Sequence, residues 1–226
     1  MPDSDLDNPF WHSLRSRHRE LAQCNGGAAR FPATHVPFLG IADADADVED
    51  ALTTLMSPGE SLYMLGVTPR SLSADWTLAP VADLAQMVCP HRVAVDDGPA
   101  IAELGDADRD AVLALTALVY PHYFRARTME LGRYFGIFRD GQLAAMAGER
   151  LGMHDLQEIS AVCTHPDHVG HGYARRLLGW LSNDVLARGR VPFLHVSPDN
   201  TRALDLYERN GYRLRRTIGF WSLRRA

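Results

Sequence analysis

The stretch Gln157–Ala187, QEISAVCTHPDHVGHGYARRLLGWLSNDVLA, decides how the rest of the chain is read. Its opening, Glu158 to Thr164, is short, apolar and β-branched and ends at His165-Pro166-Asp167, which predicts a strand. Its close places Ala174, Leu177, Leu178, Leu181, Val185 and Leu186 at helical spacing. Between them lies Val169-Gly170-His171-Gly172-Tyr173-Ala174. A strand, a glycine turn and a helix aim the first, unpartnered N–H groups of the helix at one point, where the helix dipole adds partial positive charge. Glycines there let a phosphate approach the backbone with no Cβ between. The turn therefore fits a phosphate or pyrophosphate; a tight connection without a ligand is the other reading. It lacks the Gly-Lys-Ser/Thr of a Walker loop, and Arg175 stands where a dinucleotide fingerprint carries its third glycine.

Working outward, the following residues continue the same grammar. Val191–Val196 predicts a strand, Asn200 to Asn210 a helix closed by Gly211, and Tyr212 to Arg225 one or two antiparallel strands. Upstream, Tyr134–Phe138 and Leu143–Leu151 flank Asp140-Gly141, a hairpin turn. Ala100–Leu104 reads as a strand and Asp106–Tyr120 as a helix broken at Pro121-His122, with a short helix or loop over Arg127–Gly132. The first 98 residues are less regular. A helix is expected from Asn8-Pro9 to Asn25-Gly26-Gly27 and another over Asp43–Met56. A strand follows at Ser61–Val67, then a strand and a short helix between Trp76 and Cys89, then a linker over Pro90–Pro99. This division gives an accessory region, 1–98, open to being a degenerate copy of the second unit, and a second domain, 99–226.

The chain has 226 residues, 46% hydrophobic and 23% charged, which is ordinary globular composition, and its net charge of −5 argues against a nucleic-acid partner. Three cysteines without a CxxC pair suit a reducing, cytoplasmic setting, and no apolar run reaches membrane-spanning length.

With these motifs in order, residues 99–226 resemble the GNAT superfamily of N-acetyltransferases. The family's main signature, Gln/Arg-x-x-Gly-x-Gly/Ala, is met by Val169 to Ala174 except that Val169 replaces Gln or Arg. A second signature, Asn-x-x-Ala-x-x-Leu-Tyr-x-x-x-Gly-Phe, is met by Asn200, Ala203, Leu206, Tyr207 and Gly211-Tyr212. Gly148–Leu151 and Glu158–Val162 look like the glycine N-acyltransferase-like branch. The resemblance implies an α/β (α+β) fold: a mixed, mostly antiparallel central sheet with flanking helices.

It also implies acetyl-CoA as co-substrate and a primary amine as acceptor, a small molecule or an amino acid. Nucleic acid and membrane are not expected as partners, and a homodimer is left open. CoA would be held by the amides of Gly170, His171, Gly172, Tyr173, Ala174 and Arg175, by Val169, by the backbone of Val162, Cys163 and Thr164, and by Asn200. Tyr207, at the family's acid position, would protonate the leaving thiolate. Glu158 is the candidate general base, with Glu149 a weaker one. Each has a structural alternative: a core tyrosine, a solvated or arginine-paired glutamate. Cys163 raises a ping-pong route, though buried strand cysteines usually act as small hydrophobes. No metal is expected. His165, His168 and His171 cross a turn rather than share a helix face, and Asp43-x-Asp45-x-Asp47 lacks the Gly and Glu of an EF-hand loop. The alternatives are a non-catalytic acyl-CoA-sensing module, kept open by Val169, and a nucleotide-binding protein using the same turn.

Overall fold

A computed structural model describes residues 2–119 and 123–226. In chain order its elements are α1 (Pro9–Arg15), β1 (Gln23–Asn25), β2 (Ala28–Arg30), β3 (Leu39–Ile41), α2 (Glu49–Leu55), β4 (Ser61–Leu65), β5 (Trp76–Val88) and β6 (Ala102–Leu104). There follow α3 (Arg109–Val119), β7 (Tyr134–Arg139), β8 (Gln142–Gly152), β9 (Leu156–Thr164), α4 (Tyr173–Ala187), β10 (Val191–Val196), α5 (Thr201–Arg209) and β11 (Arg213–Arg225). β1 to β3 make a small antiparallel sheet. The other strands form one mixed sheet in the order β4-β11-β5-β10-β9-β8-β7-β6, in which only β9 and β10 run parallel.

Strand alternation sorts the side chains onto two faces. On one face Ala85, Met87, Phe135, Ile137, Ala145, Ala147, Leu194 and Val196 meet Leu177, Leu178, Leu181 and Val185 of α4. On the other, Met146 and Cys163 pack under Val112 and Leu115 of α3. Beside them Phe10 and Leu14 of α1, with Phe31 and Phe38, cover Leu156, Phe193, Ile218 and Phe220. Each fully buried Leu or Phe contributes about 1.5–3 kcal/mol relative to exposure, so both layers hold the sheet.

The expected mixed, mostly antiparallel sheet with flanking helices is present. The hairpin turn holds Asp140 and Gly141 at φ +51° and +81°, the primed geometry that matches strand twist. Elsewhere the first half departs from expectation. The first helix stops at Arg15, because Ser13 Oγ meets His18 Nδ1 at 2.8 Å and His18 Nε2 meets the Leu131 carbonyl at 2.8 Å, turning the chain. Asn25-Gly26 then joins β1 to β2 rather than ending a helix. The second helix starts at Glu49, not Asp43, since the Asp43 carboxylate takes the Asp45 N–H at 2.8 Å and holds a turn. Trp76 to Val88 is a single strand. Its Ala-Asp-Leu-Ala run has helical propensity, but pairing with β10 and β11 overrides it. Tyr212 to Arg225 likewise yields one strand. The boundary expected near residue 98 does not separate two sheets, because β4 and β5 are strands of the sheet that β6 to β11 complete. Pro90–Pro99 is a connection within that unit; Asn183 Oδ1 and Nδ2 clamp the backbone of Val93. The end of the helix at Tyr120 and the break at Pro121-His122 lie outside the described residues.

Candidate active site

β9 and β10 pair only over Val191↔Leu156, Pro192↔Gln157 and Phe193↔Glu158. Beyond Glu158, β9 stays with β8 while β10 follows β5 as far as Val196↔Ala85. The strands therefore part and leave backbone groups of both unpaired by sheet. A bulge sharpens the parting: between Met146↔Cys163 and Gly148↔Ser160, Ala161 and Val162 oppose Ala147 alone, and Ala161 is held at φ +51°. Bulges and such strained residues gather where a strand re-aims its groups at a site. Two cavities open from the wedge, of about 340 Å³ and about 430 Å³. Val162, Asn200, Ala203 and Tyr207 line both and so form their common wall.

The larger cavity ends at the glycine turn. Gly170 and Gly172 have φ of +90° and +76°, a region L side chains avoid, and a Cβ on either would meet nothing within 4 Å. The glycines thus serve the turn and leave open space above it. Gly172 is the N-cap of α4 and no side chain caps that helix, so the dipole of its fifteen residues faces the cavity uncompensated. These features suit a pyrophosphate. Asn200 caps α5 by accepting the Ala203 N–H at 3.1 Å.

The smaller cavity has a polar back wall. Glu158 is fully buried and accepts from Arg150 Nε and Nη2, both at 2.8 Å, and from His195 Nδ1 at 2.8 Å. Burial alone would raise its pKa, but Arg150, then His195, pull it down to about 2. Gln86 completes the chain. Its Nε2 donates to the Leu6 carbonyl at 2.8 Å, and its Oε1 accepts from Arg215 at 2.7 Å. That fixes the amide's orientation, so Nε2 also donates to His195 Nε2 at 2.9 Å. His195 therefore carries its proton on Nδ1, toward Glu158, and its Nε2 lone pair accepts the Gln86 N–H.

Of the residues singled out from sequence, Val162, Thr164, Val169, Gly170, Gly172, Tyr173, Ala174, Arg175, Asn200 and Tyr207 all line the larger cavity. Glu158 stands behind the smaller one, within the ion pair. His171 does not line either; it is exposed, with Nδ1 3.2 Å from the His168 carbonyl, and His168 lines the cavity instead. The Cys163 side chain points into the cluster under α3, where burial pushes its thiol up to about 12, far from a neutral-pH nucleophile. Arg176 turns away to the Asp96 and Pro99 carbonyls, while Arg175 remains at the cavity, 3.3 Å from Asp96. Glu149 is buried between Arg133 and Arg188, outside both cavities. Its pKa is pushed up by burial but ends below the usual value because of those arginines. Among the described residues no group of three or more His, Cys, Asp or Glu could hold a metal, and no helix is long and apolar enough to cross a membrane.

Sequence reasoning missed His195, Gln86, Arg150 and Arg202 as cavity or network residues. The one available signal was His195 itself, a polar residue inside the apolar run Val191–Val196.

A strand pair parts beside a glycine turn, with an uncapped helix N-terminus at one end of the cleft and a His–Glu pair at the other. The comparisons name the class. The chain is 33% identical to a protein of the GNAT family from Novosphingobium aromaticivorans, with a TM-score of 0.86 and 98% of each chain covered. The FR47-like protein family model matches residues 134–221. A GCN5-related N-acetyltransferase from Kribbella flavida shares the fold at 16% identity, TM-score 0.63, covering 94% of this chain and 91% of that one. So does a GCN5-related N-acetyltransferase-like protein from Streptococcus suis, at 15% identity, TM-score 0.56 and 97% of each chain. A search of curated proteins returns no significant match. The chain belongs to the GNAT family of acetyltransferases, whose donor is acetyl-CoA.

Proposed function

We propose that this protein transfers the acetyl group of acetyl-CoA directly to a primary amine. The observation that carries the reading is the pair of joined cavities, one ending at the open glycine turn and the other backed by His195 and Glu158, with Tyr207 in the wall between. Gly170 to Arg175 hold the pyrophosphate, and the re-aimed backbone around Val162 supplies an N–H for the oxyanion of the tetrahedral intermediate. The amine nitrogen attacks the thioester carbonyl, the C–N bond forms and the C–S bond breaks. The amine proton passes to His195 Nε2, displacing the Gln86 N–H bonded there, and Tyr207 gives its proton to the departing thiolate.

Glu158 is a poor direct base, since a carboxylate held at about 2 hardly takes a proton at neutral pH. It acts through His195, fixing the tautomer and stabilising the imidazolium that forms. The resemblance to the glycine N-acyltransferase-like branch bears on this Arg150–Glu158 placement, not on the acceptor. The alternative, acyl-CoA binding without turnover, rests on Val169, whose exposed side chain offers no charge to the phosphates.

Calorimetric titration with acetyl-CoA, ATP and NAD separates the readings. Binding of acetyl-CoA alone, followed by amine-dependent thiol release that His195→Gln abolishes, supports the mechanism. Binding without turnover on any amine leaves the sensing module, and no acetyl-CoA binding removes both.

A further inference from the structure

We propose that the acceptor is a primary amine with an apolar, aryl-sized body and no second charge, seated in the smaller cavity. This rests on the acetyltransferase reading above and names the substrate class of the same site. The N-terminal segment, Tyr123 and β11 together supply that cavity's aromatic walls. Phe10 and Phe38 stack at 4.2 Å, and Tyr123 stands edge-on to Phe220 at 5.7 Å and lies 6.1 Å from Phe38. All four rings line the cavity, with Leu84 and Ala82 of β5 beside them. The volume of about 340 Å³ is ample for an aryl group and a short linker, and flat rings favour an offset or edge-on aromatic guest.

The charge inventory disfavours amines that carry a second charge. Among the described residues no Asp or Glu lines this cavity. A polyamine or aminoglycoside would bring further ammonium groups into it without a carboxylate to replace their water. An amino acid would bring a carboxylate. Arg150 gives Nε and Nη2 to Glu158, which matches its charge, so a substrate carboxylate would enter beside an ion pair that is already neutral. His195 lines the same cavity and Tyr207 its wall, so an amine seated with its body against the rings lies beside both.

The test uses the full chain with acetyl-CoA and four amines: 2-phenylethylamine, ethylamine, spermidine and phenylalanine. Burial of the ring should give 2-phenylethylamine a kcat/KM about 100-fold above ethylamine, and above the two charged amines as well. Ala82→Phe, which fills the cavity from β5, should shrink the phenylethylamine-to-ethylamine ratio about tenfold or more. Calorimetry of 2-phenylethylamine with the CoA-saturated protein gives a second readout independent of turnover, and binding there is expected. Equal or better transfer to ethylamine, spermidine or phenylalanine overturns the inference. So does transfer of octanoyl from octanoyl-CoA to ethylamine with 2-phenylethylamine inert, since the cavity would then hold the donor's chain. In these cases acetyl-CoA still binds and some amine is still acylated. Failure of acetyl-CoA to bind would instead remove the acetyltransferase reading itself.

Discussion

Glu158 ties the stability of the fold to pH. Its folded pKa of about 2 lies below the ordinary 4.5, so it stabilises the fold fully above pH 4.5, and that contribution is lost as pH falls through about 2. Replacing it by Gln leaves Arg150 buried beside a neutral amide and should cost about 3–5 kcal/mol at pH 7. The variant's stability should then fall less steeply than the wild type's between pH 4.5 and 2, which urea melts across that window measure. If the slopes coincide, the ion pair is not what acid breaks. Tyr207 gives a cleaner functional contrast. Tyr207→Phe keeps the ring in the wall and removes the proton, so kcat should fall about 100-fold with acetyl-CoA affinity unchanged. A fall in affinity with kcat intact would make the hydroxyl a binding group. Tyr207 was legible in sequence because its spacing from Asn200 and Gly211 lies within one helix. His195 was not, because its meaning depends on Glu158 and Gln86, far from it in sequence.

At the scale of elements, the strand–turn–helix unit from β9 to α4 was readable almost to the residue. Its signals are local: the strand ends at a proline, the glycines adopt positive φ, and α4 buries the face that its apolar spacing marks. Gly172→Val separates backbone strain from ligand space. A β-branched residue at φ +76° should cost about 1–2 kcal/mol. Gly59→Val, at φ +78° and equally free of neighbours, should cost the same. Only the first should weaken acetyl-CoA binding, as calorimetry would show. An equal loss of affinity in both would mean that the turn acts through global stability alone. The bulge at Ala161 and the short contact of β9 with β10 were not legible, since register between strands is settled by what packs on either face.

At the scale of the molecule, residues 1–98 are part of the sheet and of the smaller cavity's lining. β5 lies between β10 and β11, pairing with both, and Phe10 and Phe38 roof the cavity. A fragment of residues 99–226 would expose one edge of β10, both edges of β11 and the apolar surface that α1 and β3 cover. It should show no cooperative thermal transition and should aggregate, whereas the full chain should melt in one step. A soluble, cooperatively melting fragment would show that the second half is an independent unit after all.

The sequence by itself determined the family, the glycine turn, the caps of α5 and the elements of the second half, because each rests on spacing within one segment. Tertiary structure alone decided that β5 is an internal strand of the sheet, that Glu158 is a salt-bridged partner of Arg150 and His195, and that aromatic rings from the N-terminal segment line the smaller cavity. These depend on contacts between residues far apart in the chain, where burial and pairing outweigh local propensity.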